Sequence, residues 1–364
     1  MDEYAQTYLH LPTTAFHSDE WKVHAAQYSV RIPSSTKLSS TTQVPDNLDD
    51  WLNEVIDKAK DIGVSLLIFP WADSLIRGLE KRYRKDPSAP HAHLLLGRCP
   101  PGVIDFVRGS ERAAVLATLQ SAKRLAEAGS VCTGRLCATL DSLAGQTAEP
   151  EIANRIRYVI DPVSLATHPT KKKARGRLGW ELDRQYALLI GDLSERKRAT
   201  EVVRSWQTIY AKTGITLVLA GEVDQSVPQL PEMVRELGSL FPGSIIADFS
   251  YSSQERFVEY IAAADVVLCT FKQGTYMPSG VAGLAAVLGA PIFVEGNRYI
   301  EKLVSGSSFG TIGHIGAEDA SELLEVAIAM PVPQIEHDVG YDAFINQWMG
   351  DCLSVGNLLN NRRV

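Results

Sequence analysis

Two short stretches of this chain combine residue types that bind anions. In the first, residues 191–197 read Gly-Asp-Leu-Ser-Glu-Arg-Lys and follow directly on the apolar run Tyr-Ala-Leu-Leu-Ile at 186–190. A glycine at a strand end lets the backbone turn sharply. Arg196 and Lys197 would then lie at the start of a helix capped by Ser194, with Lys197 across a diphosphate. Cations in a first turn oppose the helix dipole, which favours acids there, and a bound anion would relieve the conflict. The plainer alternative is that Glu195, Arg196, Lys197 and Arg198 form a solvated first turn.

The second stretch, 273–280, reads Gln-Gly-Thr-Tyr-Met-Pro-Ser-Gly. Backbone N–H groups of Ser279, Gly280 and Val281 would point out of a helix start, with the Ser279 hydroxyl as a further donor, and a pyrophosphate fits that geometry. The alternative is an ordinary Ser-capped helix that binds nothing. Gly280 costs a helix about 0.8 to 1 kcal/mol against alanine, and the close approach of a ligand would account for it. Asp248, Phe249, Ser250 and Tyr251 end another strand-like run and are candidates to pack on or hydrogen-bond a ligand; for Phe249 and Tyr251 core packing competes. Glu222 follows a strand-end glycine at the same level.

The elements that must position these residues alternate. Strand-like runs lie at 186–190, 215–220, 244–249, 265–270 and 291–295, rich in Val, Ile and Leu as parallel strands buried on both faces are. Helical periods separate them: 194–214 carries Val202, Val203, Trp206 and Ile209 on one side, a Ser252- or Ser253-capped helix turns Phe257, Ile261 and Ala264 inward, and the Ser279 helix ends at Gly289. Earlier in the chain, helices are expected over 46–62, 73–85, 110–128 and 134–144. Strands are expected at 7–11, 28–32, 64–69, 92–96, 130–133 and 157–160. The Ser/Thr-dense segment 33–45 reads as a surface loop, and the polar stretch 145–155 as a domain boundary.

Bulk composition narrows the classes. A chain of 364 residues, 45% hydrophobic, fills two cores rather than one. A net charge of -7 argues against nucleic acid or an anionic membrane as partner, and the Lys171, Lys172, Lys173 run reads as a solvated segment. Five cysteines without a CxxC pair read as reduced thiols of a cytoplasmic protein, and no apolar run is long enough to span a bilayer. His91 and His93 flank one residue without a third ligand in view, so no metal is expected.

Taken in order, several segments resemble the large retaining glycosyltransferase family 4: Arg-Tyr-Val-Ile-Asp-Pro-Val-Ser at 157–164, Lys-Ala-Arg-Gly-Arg-Leu-Gly at 173–179 with the 186–197 stretch, Leu-Val-Leu-Ala-Gly-Glu at 217–222, the 252–268 segment, and Ser279-Gly280-Val281 through Gly289-Ala290-Pro291. The resemblance covers about half the chain. It implies an α/β fold of two Rossmann-like domains, the GT-B architecture, with a reduced or divergent N-terminal half. Residues 1–45 would be an irregular extension, 46–150 the acceptor-side domain, 151–335 the nucleotide-sugar-binding domain and 336–364 a helical segment.

It further implies a hexosyltransferase-like enzyme moving a sugar from a nucleoside-diphosphate sugar to an acceptor hydroxyl with retention. The acceptor would be a glycan, a lipid-linked compound or a small molecule. The donor is a co-substrate and no cofactor is implied. Arg196 or Lys197 would ease departure of the diphosphate, while Gly191, Ser279, Gly280, Val281, Tyr276, Glu222, Phe249 and Tyr251 would line the donor. Three departures stand out. Asp192 occupies a position where the family often has arginine, and the two glutamates that usually hold sugar and ribose fall on Tyr276 and Leu284, neither of which accepts as a carboxylate does. Residues 1–32 offer no glycine-rich loop. A catalytically silent GT-B-like protein, binding a nucleotide sugar or a partner glycosyltransferase, is therefore the alternative.

Overall fold

In the computed structural model the chain divides into two units, Met1–Leu94 with Gln120–Cys132 and Leu95–Leu119 with Thr133–Val364. The described residues are 8–12, 37–41, 48–64, 66–69, 75–86, 88–96, helical positions between 112 and 125, 131–136, 169–275, 279–305 and 309–330. The expected strands at 28–32 and 157–160, most of the 110–128 helix, the 145–155 boundary and the 336–364 segment lie outside them.

In the first unit β1 (Tyr8–Pro12) pairs in parallel with β2 (Lys37–Thr41). This corrects the reading of 33–45 as loop throughout: pairing with a strand distant in sequence overrides a loop-like composition, because strand propensity depends on its neighbours. Helix α1 (Leu48–Asp61) buries Leu52, Val55, Ile56 and Ala59 and carries acids in its first turn and lysines in its last, as the helix dipole favours. Strand β3 (Leu66–Phe69) and helix α2 (Ile76–Lys85) follow; β4 (His91–Leu96) and β5 (Val131–Leu136) come next, their residues divided between the two units, and the sheet order is β3-β4-β5. Sheet pairing carries β5 through 134–136, where a helix was expected to begin.

The second unit is the better defined by sequence. Six strands, β6 (Tyr186–Ile190), β7 (Thr216–Ala220), β8 (Ile245–Asp248), β9 (Val266–Thr275), β10 (Ile292–Asn297) and β11 (Gly310–Ile312), form one parallel sheet in the order β11-β10-β9-β6-β7-β8. Strict alternation sorts their side chains. Tyr186, Leu188 and Ile190 enter a cluster with Trp180, Ile261 and Ala285, while Ala187 and Leu189 enter another with Val202, Trp206 and Leu324. The result is a sheet between two helical layers, in which each fully buried Leu or Ile contributes roughly 1.5 to 3 kcal/mol. Strand β8 is an exception to burial on both faces: it is an edge, with Ala247 exposed and its neighbours half-buried.

Four helices of this unit were not anticipated, at 171–178, 230–240, 298–305 and 320–329. Helix α3 (Lys171–Leu178) starts at a Thr170 cap and ends at Gly179 in the left-handed region. Its apolar period is thin, and what docks it is Arg175, which donates to the Ala263 carbonyl at 3.0 Å, to the Leu182 carbonyl at 2.5 Å and to the Asp265 carboxylate at 2.5 Å. The remaining helices are α4 (Ala199–Thr213), α5 (Leu230–Leu240), α6 (Gln254–Ala263), α7 (Gly280–Val287), α8 (Arg298–Ser305) and α9 (Ala320–Ala329). No helix among the described residues is long and apolar enough to cross a membrane.

Candidate functional site

Chain order around the sheet reverses between β6 and β9. From β6 the strands run outward to β7 and β8, and from β9 they run the other way to β10 and β11. Ligands of open α/β sheets bind outside the carboxyl ends of the strands at such a switch point. The two candidate stretches picked out from sequence lie at the ends of β6 and β9, the two strands that flank it; the second begins inside β9, which runs on to Thr275 rather than ending at 270 as expected.

The first stretch leaves β6 as a continuation of the sheet before it turns. Gly191 N–H donates to Ala220 O at 2.8 Å, Leu193 N–H to Glu222 O at 2.9 Å and Asp224 N–H to Leu193 O at 3.1 Å. This close pairing needs glycine on both sides. Gly191 has φ 91° and Gly221 φ 132°, and a Cβ on Gly221 would stand 2.2 Å from Gly191 O. Residues 194–198 then form a tight turn, with Lys197 N–H and Ala199 N–H both donating to Ser194 O, at 3.1 and 3.2 Å.

This corrects the expected helix start. Helix α4 begins at Ala199 with Arg198 as its cap, and Ser194 caps nothing; its hydroxyl is buried without a hydrogen-bond partner. Arg196 and Lys197 therefore occupy a turn ahead of the helix, not its first turn. The reason is Arg198, the only non-glycine residue among those described with positive φ, at 55°. A left-handed residue breaks helical propagation, at a cost of about 1 to 2 kcal/mol.

Nor is Lys197 solvated. It is 9% exposed, and its amine donates to Ile190 O at 2.5 Å. Burial is the main cause that pushes its pKa down to about 8, helped by the neighbouring Arg196 charge and opposed by Cys269 and Asp192. The turn is also pinned to β9, since Thr270 Oγ1 donates to Lys197 O at 2.8 Å and Lys272 N–H to Arg196 O at 2.9 Å. Arg196 itself lies over the Phe271 ring, 5.7 Å from its centroid, and pairs with Asp192 at 3.6 Å. Glu195 pairs with Lys272 at 2.6 Å. The expected departure at Asp192 thus has a structural role: it partners the more exposed of the two cations.

At the second stretch the Ser279 hydroxyl accepts from Ala282 N–H at 3.3 Å and opens α7, as the sequence indicates. Gly280 is exposed, and a Cβ there would meet nothing within 4 Å among the described residues. Val281 and Leu284 pack against the apolar cluster that holds Ala282 and Ala285. Tyr276 lies outside the described residues.

The remaining candidates sit farther out. Glu222 is exposed and meets the first stretch through its backbone. Phe249 and Tyr251 follow β8, two strands from β6 and hence about 10 Å away; Phe249 packs into the cluster of Val202 and Trp206, as its core reading has it, and Tyr251 is 48% exposed. Asp248 accepts from the Ser250 hydroxyl, the Tyr260 hydroxyl and Ser250 N–H, which together hold its carboxyl below the usual range. No group of three or more metal-ligating side chains occurs among the described residues.

Sequence reasoning missed Thr270, Lys272, Arg198 and Glu295. Glu295 interrupts the apolar run Ile-Phe-Val of β10, and a charged residue there is the one local sign that something unusual is held.

No protein-family model matches the sequence, and no curated relative does. The fold does have close solved counterparts. HepE (Alr3699) of Anabaena, in complex with UDP and glucose, aligns with a TM-score of 0.63 at 14% identity over 95% of this chain and 91% of that one. Sucrose-phosphate synthase from Thermosynechococcus elongatus aligns at 0.57 and 15% identity, over 90% and 83% of the two chains. WaaG, a glycosyltransferase of lipopolysaccharide biosynthesis, aligns at 0.56 and 13% identity, over 93% and 98%. The α/β fold of this chain is that of the GT-B glycosyltransferases, as the sequence resemblance implied.

Proposed function

We propose that the chain is a glycosyltransferase that takes a sugar from a nucleoside-diphosphate sugar and joins it to an acceptor hydroxyl, with retention as the family resemblance implies. One observation carries this reading: the two glycine-bearing, cation- and amide-rich stretches lie at the ends of the adjacent strands β6 and β9 at the switch point of the sheet. In the reaction the bond between the anomeric carbon and the diphosphate oxygen breaks and negative charge grows on the diphosphate. Lys197 and Arg196 would neutralise that charge, and the N–H groups at Ser279 and Gly280 would donate to it, held in place before the reaction begins. HepE was solved with UDP and with UDP-glucose, which makes these the first probes to try.

A second reading has its own support. Leu284, at one of the positions where the family usually carries an acid, packs against an apolar cluster, and the Lys197 amine is already bonded to Ile190 O. A protein that binds the nucleotide sugar without turning it over would show both features.

Thermal shifts with UDP, GDP, UDP-glucose and GDP-mannose, followed by assays for donor hydrolysis, separate the readings. Binding that saturates stabilises a fold by RT ln(1 + [L]/Kd), about 2.7 kcal/mol at a hundredfold excess over Kd. Stabilisation with slow hydrolysis is the expected outcome. Stabilisation without hydrolysis favours the silent binder, and no stabilisation by any nucleotide would remove both.

A further inference from the structure

Outside the residues already assigned, the described part of the second unit holds a buried charge cluster that no step above uses. The Glu295 side chain is 1% exposed at the end of β10. Its carboxylate pairs with the Arg198 guanidinium, accepts from Ile315 N–H at 2.9 Å and stands 3.3 Å from His314 Nε2. His314 Nδ1 accepts from Gly316 N–H at 3.0 Å. A carboxylate buried this deeply is stable only when its lone pairs are met, and here the Arg198 guanidinium and the Ile315 N–H, from two segments, meet them.

The other end of that ion pair is the left-handed residue that shapes the turn. Arg198 is where the chain stops turning and α4 starts, and Lys197 is the residue before it. A left-handed arginine is held by its surroundings rather than by its own preference. Those surroundings are Glu295 on the side chain and Thr270 on the carbonyl of the residue before.

We infer that Arg198 and Glu295 are positioning residues: their buried ion pair fixes the left-handed turn that directs the Lys197 amine to the carboxyl end of β6. Neither touches the reacting groups. The inference rests on the donor-site reading for its functional meaning, while its structural content, the placement of one amine, is measurable without any ligand.

The test compares Glu295→Gln, Arg198→Ala, Arg198→Gly and Arg198→Lys with the parent chain. Two readouts are taken on each: the acylation rate of Lys197 relative to exposed Lys172, by mass spectrometry, and the Kd for UDP. Melting temperature is followed throughout, so that global loosening is told apart from local release. In the parent chain Lys197 should react far more slowly than Lys172. Glu295→Gln and Arg198→Ala should raise the Lys197 rate at least tenfold and weaken UDP at least fivefold. Arg198→Gly tolerates the left-handed turn but lacks the ion pair, and should fall between; it also keeps the test open if Glu295→Gln does not fold. Arg198→Lys, which retains the charge, should recover most of both effects. A Lys197 rate unchanged in folded Arg198→Ala and Arg198→Gly would overturn the inference. If the rates move as expected but the parent chain binds no UDP, the positioning role stands and the donor-site reading falls.

Discussion

Between β6 and α4 the chain buries an amine, pins two carbonyls to a neighbouring strand and holds an arginine in the left-handed region. Between β9 and α7 it leaves a glycine exposed at an ordinary serine-capped helix start. The two places stand at adjacent strand ends and would serve the same ligand. The first is shaped by tertiary contacts that outweigh local preference; the second follows from local preference alone. A site assembled this way has one rigid wall carrying charge and one open wall carrying amides, and substitutions at the two should differ in size and in kind.

The largest expected effect comes from the close contact that founds the rigid wall. Gly221→Ala places a methyl group 2.2 Å from Gly191 O at a positive φ, so the backbone must move. Strain of this sort costs on the order of 1 to 3 kcal/mol or more, and calorimetry should show a lowered melting temperature together with lost nucleotide stabilisation. A variant as stable as the parent would mean that the two glycines do not hold the turn.

Next comes Lys197→Met, with opposite effects on stability and binding. The folded pKa of Lys197, about 8, lies below its ordinary value of 10.5. Between those pH values the unfolded chain holds more protons, so the contribution of this group to stability rises with pH. Below about pH 8 its full penalty of about 3 kcal/mol is present. Removing the amine also removes a hydrogen bond worth about 1 kcal/mol, so Lys197→Met should be more stable than the parent by about 2 kcal/mol at pH 7. That advantage should shrink in urea melts as the pH is raised to 10. Nucleotide stabilisation should vanish in the same variant, whereas exposed Lys172→Ala should leave it intact.

At the open wall the effects should be smaller and additive with local propensity. Ser279→Ala removes a cap and should cost about 1 kcal/mol. Gly280→Ala meets no atom of the described residues within 4 Å and should stabilise α7 by up to about 1 kcal/mol, while weakening UDP if the ligand comes close to that backbone. If Gly280→Ala left UDP binding untouched, the amides of α7 would have no part in the site.

The same contrast explains what the sequence could reveal. The buried strands, the Ser253 and Ser279 caps and the turn glycines are written in local patterns, and the alternating α/β parallel sheet was legible from them, while the GT-B architecture was implied by the family resemblance. The helix at 171–178 was not, because Arg175 docks it through hydrogen bonds rather than an apolar stripe. The turn at 194–198 was read one step wrong for a similar reason. Ser194 is an excellent cap by type, but the Arg198–Glu295 pair, joining residues far apart in sequence, moves the helix start to Ala199. No short-range pattern shows that a lysine in a charged run is buried.

A crystal structure of the chain soaked with UDP tests the central claim most directly. The claim requires the diphosphate over the carboxyl ends of β6 and β9, with the Lys197 amine released from Ile190 O and bonded to a phosphate oxygen. A diphosphate bound elsewhere, with Lys197 still on Ile190 O, would contradict it.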